Sequence, residues 1–268
     1  MADSPQPMQR QPQTASTSSW LVWGLALGAL LSVLIHLPAR WFAPGLAQAS
    51  RQQVALLNVQ GSLWQGQAQL ALASPQQSWQ PLPGHWRWNW QTAWINGPAI
   101  VFTLESDCCL SSPLRATWQV FSQGQWTLNA LDAQADAAWL QALGAPWNTL
   151  GLQARVHIQG QGMAGQLGWS GINIHQGRLG VDIVDLSSSL SPIQPLGRYH
   201  VEMAFKPALQ LSIQTQKGPL QLSGQGEWNG QRLQFRGLAL ADAPHGEALQ
   251  PLLSVLGQRQ GTQAELNF

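Results

Sequence analysis

Charge is what this chain most conspicuously lacks. Asp, Glu, Lys and Arg together make up 9% of its 268 residues, against roughly 25% in an average soluble domain. The net charge is +1, and Lys occurs only at Lys206 and Lys217. No basic stripe is available to neutralise phosphates, which excludes nucleic acid as a partner. Tyrosine is reduced to the single Tyr199, and cysteine to the adjacent pair Cys108 and Cys109. One adjacent pair and six dispersed His offer no metal-ligand spacing. Neighbouring Cα atoms sit about 3.8 Å apart, below the roughly 4.4–6.8 Å that disulfides prefer. Two thiols or an incidental oxidised pair are therefore expected, with a redox or intermolecular role as the alternative. Long hydrophobic runs are also scarce, since only one exists.

That run is Trp20 to Leu37, WLVWGLALGALLSVLIHL, without a single Asp, Glu, Lys or Arg. Eighteen helical residues cover about 27 Å, close to the roughly 30 Å hydrocarbon core of a bilayer. Trp20, Trp23 and Trp41 lie near its ends, where interfacial Trp belongs. Pro38 stops the helix. Residues 1–19 form a polar Gln-, Ser- and Pro-rich tail expected to be disordered. Ala47-Gln48-Ala49 resembles a signal-peptidase site, but it lies a dozen residues past the apolar run, so an uncleaved anchor is the expectation. Arg10 on one side and Arg40 and Arg51 on the other do not fix an orientation. The long remainder points to a cytoplasmic N-terminus and a periplasmic bulk. Residues 38–52 read as a linker, and 53–268 as one β-rich domain.

What the chain has in abundance is Gly (26), Pro (17) and Trp (15). Turn formers and aromatics without Lys- and Glu-rich stretches favour many short strands. Period-2 alternation bears this out from Leu57 onward. Ala68, Leu70 and Leu72 share a face, as do Trp86, Trp88 and Trp90, then Ile100, Phe102 and Leu104. Similar runs recur at 114–120, 126–130, 152–158, 179–183, 199–205, 209–213, 220–226 and 233–237. The predicted fold is mainly β: an elongated, curled antiparallel sheet with one or two short helices. The helices fall at Asp136–Leu143 and Gly246–Leu256, the first half of the latter disturbed by Pro251. Gly257 follows as a helix-ending residue, and an internal seam, if any, lies around 141–151.

Catalytic patterns fail one by one. Gly160-Gln161-Gly162-Met163-Ala164-Gly165 has the dinucleotide-loop spacing, but no helix follows it to hold a pyrophosphate, so a glycine-rich turn is expected. Gly168-Trp169-Ser170-Gly171 is too short for a nucleophile elbow. His200 and Glu202 share a strand face, a thin basis for acid–base work. No enzyme activity and no cofactor are expected. Trp86, Trp88 and Trp90 are expected to pack, although a groove for lipid, protein or glycan would use the same rings.

Gly61-Ser62-Leu63-Trp64-Gln65-Gly66-Gln67-Ala68, soon after an N-terminal apolar helix, resembles type II secretion system protein N. Leu252-Leu253 with Leu256-Gly257, before a strand-like end, is similar to that family's C-terminus. The resemblance implies an inner-membrane accessory subunit that works with other secretion components to export folded proteins, with no catalytic residues to carry over. It makes Gly61, Leu63, Trp64, Gly66, Ala68, Leu252, Leu253, Leu256 and Gly257 the motif residues, of which some could meet a partner. Cys108 and Cys109 have no place in that pattern. A second expectation, from another class, is a lipid-handling envelope protein whose sheet shields acyl chains along an apolar groove.

Overall fold

The structure, a computed structural model, describes residues 17–50, 52–73, 79–122, 124–137, 150–168, 171–206, 208–228 and 232–267. The expected tail up to residue 16, most of the expected helix at 136–143 and most of the 141–151 seam lie outside them. The described chain divides into two units, one ending at Leu37 and the other running from Pro38 to Phe268.

The first unit holds helix α1, Thr17–Ile35. It ends two residues before the predicted Leu37 because a residue preceding proline is driven out of the helical region. Apolar side chains are exposed all round it, from Trp20 and Trp23 to Val33 and Ile35. Its apolar part starts only at Trp20, after Thr17, Ser18 and Ser19. No helix among the described residues is long and apolar enough to cross a membrane.

The second unit is mainly β, as predicted. Its strands are β1 (Val54–Gly61), β2 (Gln65–Ala73), β3 (Trp79–Pro81), β4 (Trp86–Trp94), β5 (Pro98–Ser106), β6 (Leu114–Gln119) and β7 (Gln125–Asp136). They continue with β8 (Gln153–Gly168), β9 (Gly171–Ser187), β10 (Gly197–Lys206), β11 (Ala208–Lys217), β12 (Leu220–Trp228), β13 (Leu233–Ala241), β14 (Gln258–Gln260) and β15 (Gln263–Asn267). All belong to one open antiparallel sheet in which chain neighbours are sheet neighbours, except that β3 branches off β2 and β15 lies between β13 and β14. Such a meander puts alternate connections at opposite ends. The turn at 62–64 shares one end, called here the near end, with those at 95–97, 120–124 and 168–171. Connections such as 107–113, 188–196 and 242–257 lie at the far end.

Cross-strand register turns the period-2 alternation into two faces. Ala133, Ile158, Val181, Val201 and Ile213 line up across five successive strands. One pleat over, Gln134, His157, Asp182, His200 and Gln214 form the parallel row on the opposite face. A one-residue slip anywhere would exchange the two.

The stretch read as a linker has structure. A 3-10 turn, Ala39–Trp41, leads to helix α2, Ala43–Ala49, with Pro44 in its first turn. There proline costs no hydrogen bond. This segment packs along the edge strand β1 and buries Ala39 and Ala55. The Ser50 hydroxyl donates to the Val54 carbonyl and accepts from the Val54 N–H, both at 3.1 Å. At the other edge β14 has only three residues, so neither edge offers a long free template.

The core occupies the far half. Helix α3, Gln250–Leu256, lays Leu252 and Leu253 onto Ala239, Ala264 and Leu266. Leu196 and Leu220 join the same cluster. Phe235 fills the space over Gly224, Gly226 and Gly237, where any Cβ would lie within about 3 Å of its ring. Tyr199, 1% exposed, donates its hydroxyl to the carbonyls of Leu220 (2.9 Å) and Leu196 (3.1 Å). Burial raises its pKa, so it stays a neutral donor. Replacing Tyr199 by Phe strips a donor from these buried carbonyls. It should cost about 1–3 kcal/mol, read as a lower denaturant midpoint of the full-length protein in detergent; an unchanged midpoint would deny the bond a structural role.

Candidate functional site

The glycines of the first hairpin turn are fixed by what lies against them. Gly61 and Gly66 face each other across β1 and β2, and Gly61 has φ +88°. A Cβ on Gly66 would lie 2.5 Å from both the Gln60 carbonyl oxygen and the Trp88 ring. The Trp88 indole lies in that gap and donates to the carbonyls of Leu63 (3.1 Å) and Ser62 (3.3 Å). Ala68 is buried opposite Trp86, and the Trp64 carbonyl accepts from the Trp90 N–H at 2.8 Å. The turn is thus seated on the Trp86–Trp88–Trp90 face of β4, while the Trp64 side chain stays exposed. Trp90 continues the packing against Phe102 (4.6 Å between ring centres) and Trp118 (6.0 Å).

The second motif is placed elsewhere, in the far-half core. Leu252 and Leu253 are buried and Leu256 is half-buried. Gly257 ends the helix as expected, its N–H donating to the Leu253 carbonyl at 3.3 Å. Its backbone is extended (φ −175°), and a Cβ there would meet the Glu265 carbonyl oxygen of β15. Close approach of the two chain segments demands glycine here. The structure therefore keeps the two motifs apart: one shapes a surface turn, the other a core.

The polar face carries two His–Asp pairs. His157 Nε2–H donates to Asp132 Oδ1 at 2.8 Å, and the Ser111 hydroxyl donates to the same oxygen at 2.9 Å. His200 Nδ1 lies 2.7 Å from Asp182 Oδ1. His200 therefore couples across strands to Asp182, not along its own strand to Glu202. In the first group the carboxylate sits between serine and histidine, so the imidazole cannot take the serine proton as a general base would. The Gly160–Gly165 run is neither a turn nor a phosphate loop. It lies inside β8, where Gly162 has φ +58° and the register with β9 shifts. Among the described residues no group of three or more His, Cys, Asp or Glu could hold a metal.

Cys108 and Cys109 are joined by a disulfide, the oxidised one of the two expected forms. The pairing occurs in the β5–β6 turn, outside any strand, where the Ser106 hydroxyl lies 3.3 Å from Cys108 Sγ. Spacing between Cα atoms alone does not capture closure within a turn. The expectation of a lipid groove gains no support. A depression of about 1080 Å³ is lined by Arg178, Glu202, Lys206, Gln210, Gln225 and Arg236 among others. Charged and amide groups there suit water, not acyl chains.

An open antiparallel meander, with α2 along its first edge and an aromatic first hairpin, defines a strand-rich class of protein. Within that class the chain belongs to the type II secretion system protein N family, whose sequence model matches residues 52–265. The match starts just before β1 and ends in β15, so it is carried by the sheet and not by α1. Family membership gives the chain a role in type II secretion. No curated protein and no solved structure matches it.

Sequence reasoning found the glycine–tryptophan turn but missed its seat, because Trp88 lies 22 residues beyond Gly66 in sequence and meets it only through β2–β4 pairing. Gly66→Ala should displace the indole and cost about 1–3 kcal/mol, together with a shift in tryptophan emission. Retained stability and emission would show the seat to be loose.

The Asp132 carboxyl is held below its ordinary 3.8, first by the hydrogen bond from His157 and then by that from Ser111. A carboxyl depressed in the folded state contributes stability above its unfolded pKa, and that contribution is lost as pH falls through the folded value. The stability difference between wild type and Asp132→Asn should therefore be present at neutral pH and shrink below about pH 4. A difference independent of pH would contradict this coupling.

Proposed function

We propose that the protein is an inner-membrane accessory subunit of the type II secretion system, supporting export of folded proteins from the periplasm by binding other components of the machine. The observation that carries this reading is the family match over the whole sheet, joined to a helix whose apolar residues are exposed all round. A helix apolar on every face belongs in a protein interior or in lipid. In this reading α1 is the anchor, with a cytoplasmic N-terminus and a periplasmic sheet. The apolar part of α1, Trp20 to Ile35, covers about 24 Å of helix, short of the roughly 30 Å hydrocarbon core, a difference that local bilayer thinning takes up in this reading.

Of the motif residues, Trp64 is the one that reaches outward. Gly61, Gly66 and Ala68 build its turn, and Leu252 and Leu253 belong to the core. The turn lies beside the entry point of the chain, since Pro38 bridges to Ser62. Partners that engage Trp64 are, in this reading, other components of the machine in the inner membrane or the periplasm. An exposed tryptophan on a rigid turn is a suitable anchor for such an interface.

Tagged full-length protein, extracted from native membranes in detergent, should bring down secretion components in near-stoichiometric yield. Trp64→Ala should reduce that recovery by about tenfold or more. Deletion of the gene should leave cargo in the periplasm; normal export from a clean deletion strain would remove the assigned role.

A further inference from the structure

We infer that the near end of the sheet is a membrane-contacting rim that rests on a phospholipid surface. This rests on the reading of α1 as a membrane segment.

Three observations converge on it. The first is where exposed apolar side chains lie. Trp94 (81% exposed) and Ile95 project at the β4–β5 turn, Val120 and Phe121 (84% exposed) at the β6–β7 turn, and Leu167 at the end of β8. Trp228 lies at the same end of β12. From Val54 onward, the exposed large apolar side chains away from this end are Trp79 and Val255, among the described residues. A solvated turn ordinarily carries polar residues, so an apolar residue at turn after turn, on one end alone, marks a surface made to leave water.

The second observation is rigidity. The turns are bonded to each other: Gln119 Nε2 donates to the Ile95 carbonyl at 2.9 Å, the Val120 N–H to Pro98 at 3.1 Å, and the Leu167 N–H to Gly124 at 2.9 Å. The residues form one held patch and not a set of independent loops.

The third is charge and connection. No Asp, Glu, Lys or Arg occurs in 62–64, 94–98, 119–125 or 168–171; the charges at this end, Lys206, Glu227 and Arg232, are confined to the β10–β11 and β12–β13 turns. The chain enters the sheet unit beside the uncharged first turn, through the Pro38–Ser62 bridge. Trp41 and Phe42, exposed in the next turn, add to the aromatic set. Tryptophan and other amphipathic rings gather at the headgroup level of bilayers. A bilayer also covers several separate turns at once, which one protein pocket would not.

The test uses the full-length chain in native membranes, with the photoreactive analogue p-benzoylphenylalanine in place of Trp94 or Phe121. The same analogue at Trp79 and Val255 supplies the controls. Irradiation should yield phospholipid adducts at 94 and 121 at least about fivefold above those at 79 and 255. Equal yields at all four positions, protein adducts in place of lipid at the near end, or no near-end adducts would overturn the rim. Carbonate washing of the same membranes separates the two readings. A chain that stays in the membrane without near-end lipid adducts keeps its anchor and loses the rim. A chain that washes off yet gives the near-end lipid adducts loses the anchor and keeps the rim; one that washes off without them loses both.

Discussion

The structure depends on cross-strand register. An open sheet with alternating sequence has one way to gather its apolar residues on a single face, and each strand must hold its pairing to within one residue. The aligned row from Ala133 to Ile213 and its polar counterpart from Gln134 to Gln214 show the result. Where pairing slips by design, a positive-φ residue takes up the extra length. Asn58 does so in β1 and Gly162 in β8, each at a shift in register.

Register also explains the two motifs. Glycine in the first hairpin is needed because β2–β4 pairing brings the Trp88 ring onto Gly66. Glycine at 257 is needed because β15 returns alongside the end of α3. Each site therefore records an approach between segments distant in sequence. The sparse charge fits the same logic. Uncharged Gln, Ser and Asn solvate the outer face, and the paired carboxylates Asp132 and Asp182 sit against histidines on neighbouring strands.

An end-on arrangement follows from the meander. Alternate turns fall at one end, so a chain that decorates them unequally produces two chemically different ends from one sheet. The far end is closed by α3 and the connections around Leu196, which bury the core. At the near end the turns carry Trp94, Ile95 and Phe121.

Much of this was legible in the sequence. Period-2 runs located the strands because alternation is a local property of the chain, and Pro38 marked the end of α1 for an equally local reason. Pro251 likewise displaced the start of α3 to Gln250. The helix α2 was hidden because Pro44 and Gly45 read as breakers, and only packing along β1 reveals that proline occupies a permitted first-turn position. The disulfide, the Asp132–His157 pair and the seat of Trp88 were equally hidden, since each depends on where a turn or a neighbouring strand brings a second group. By itself the sequence determined the secondary structure, the two-faced alternation and the apolar first helix, all set by residues close in the chain. Only the tertiary structure decided which turns share an end and which glycines are spaces for other side chains, because those facts belong to register between strands and not to any one strand.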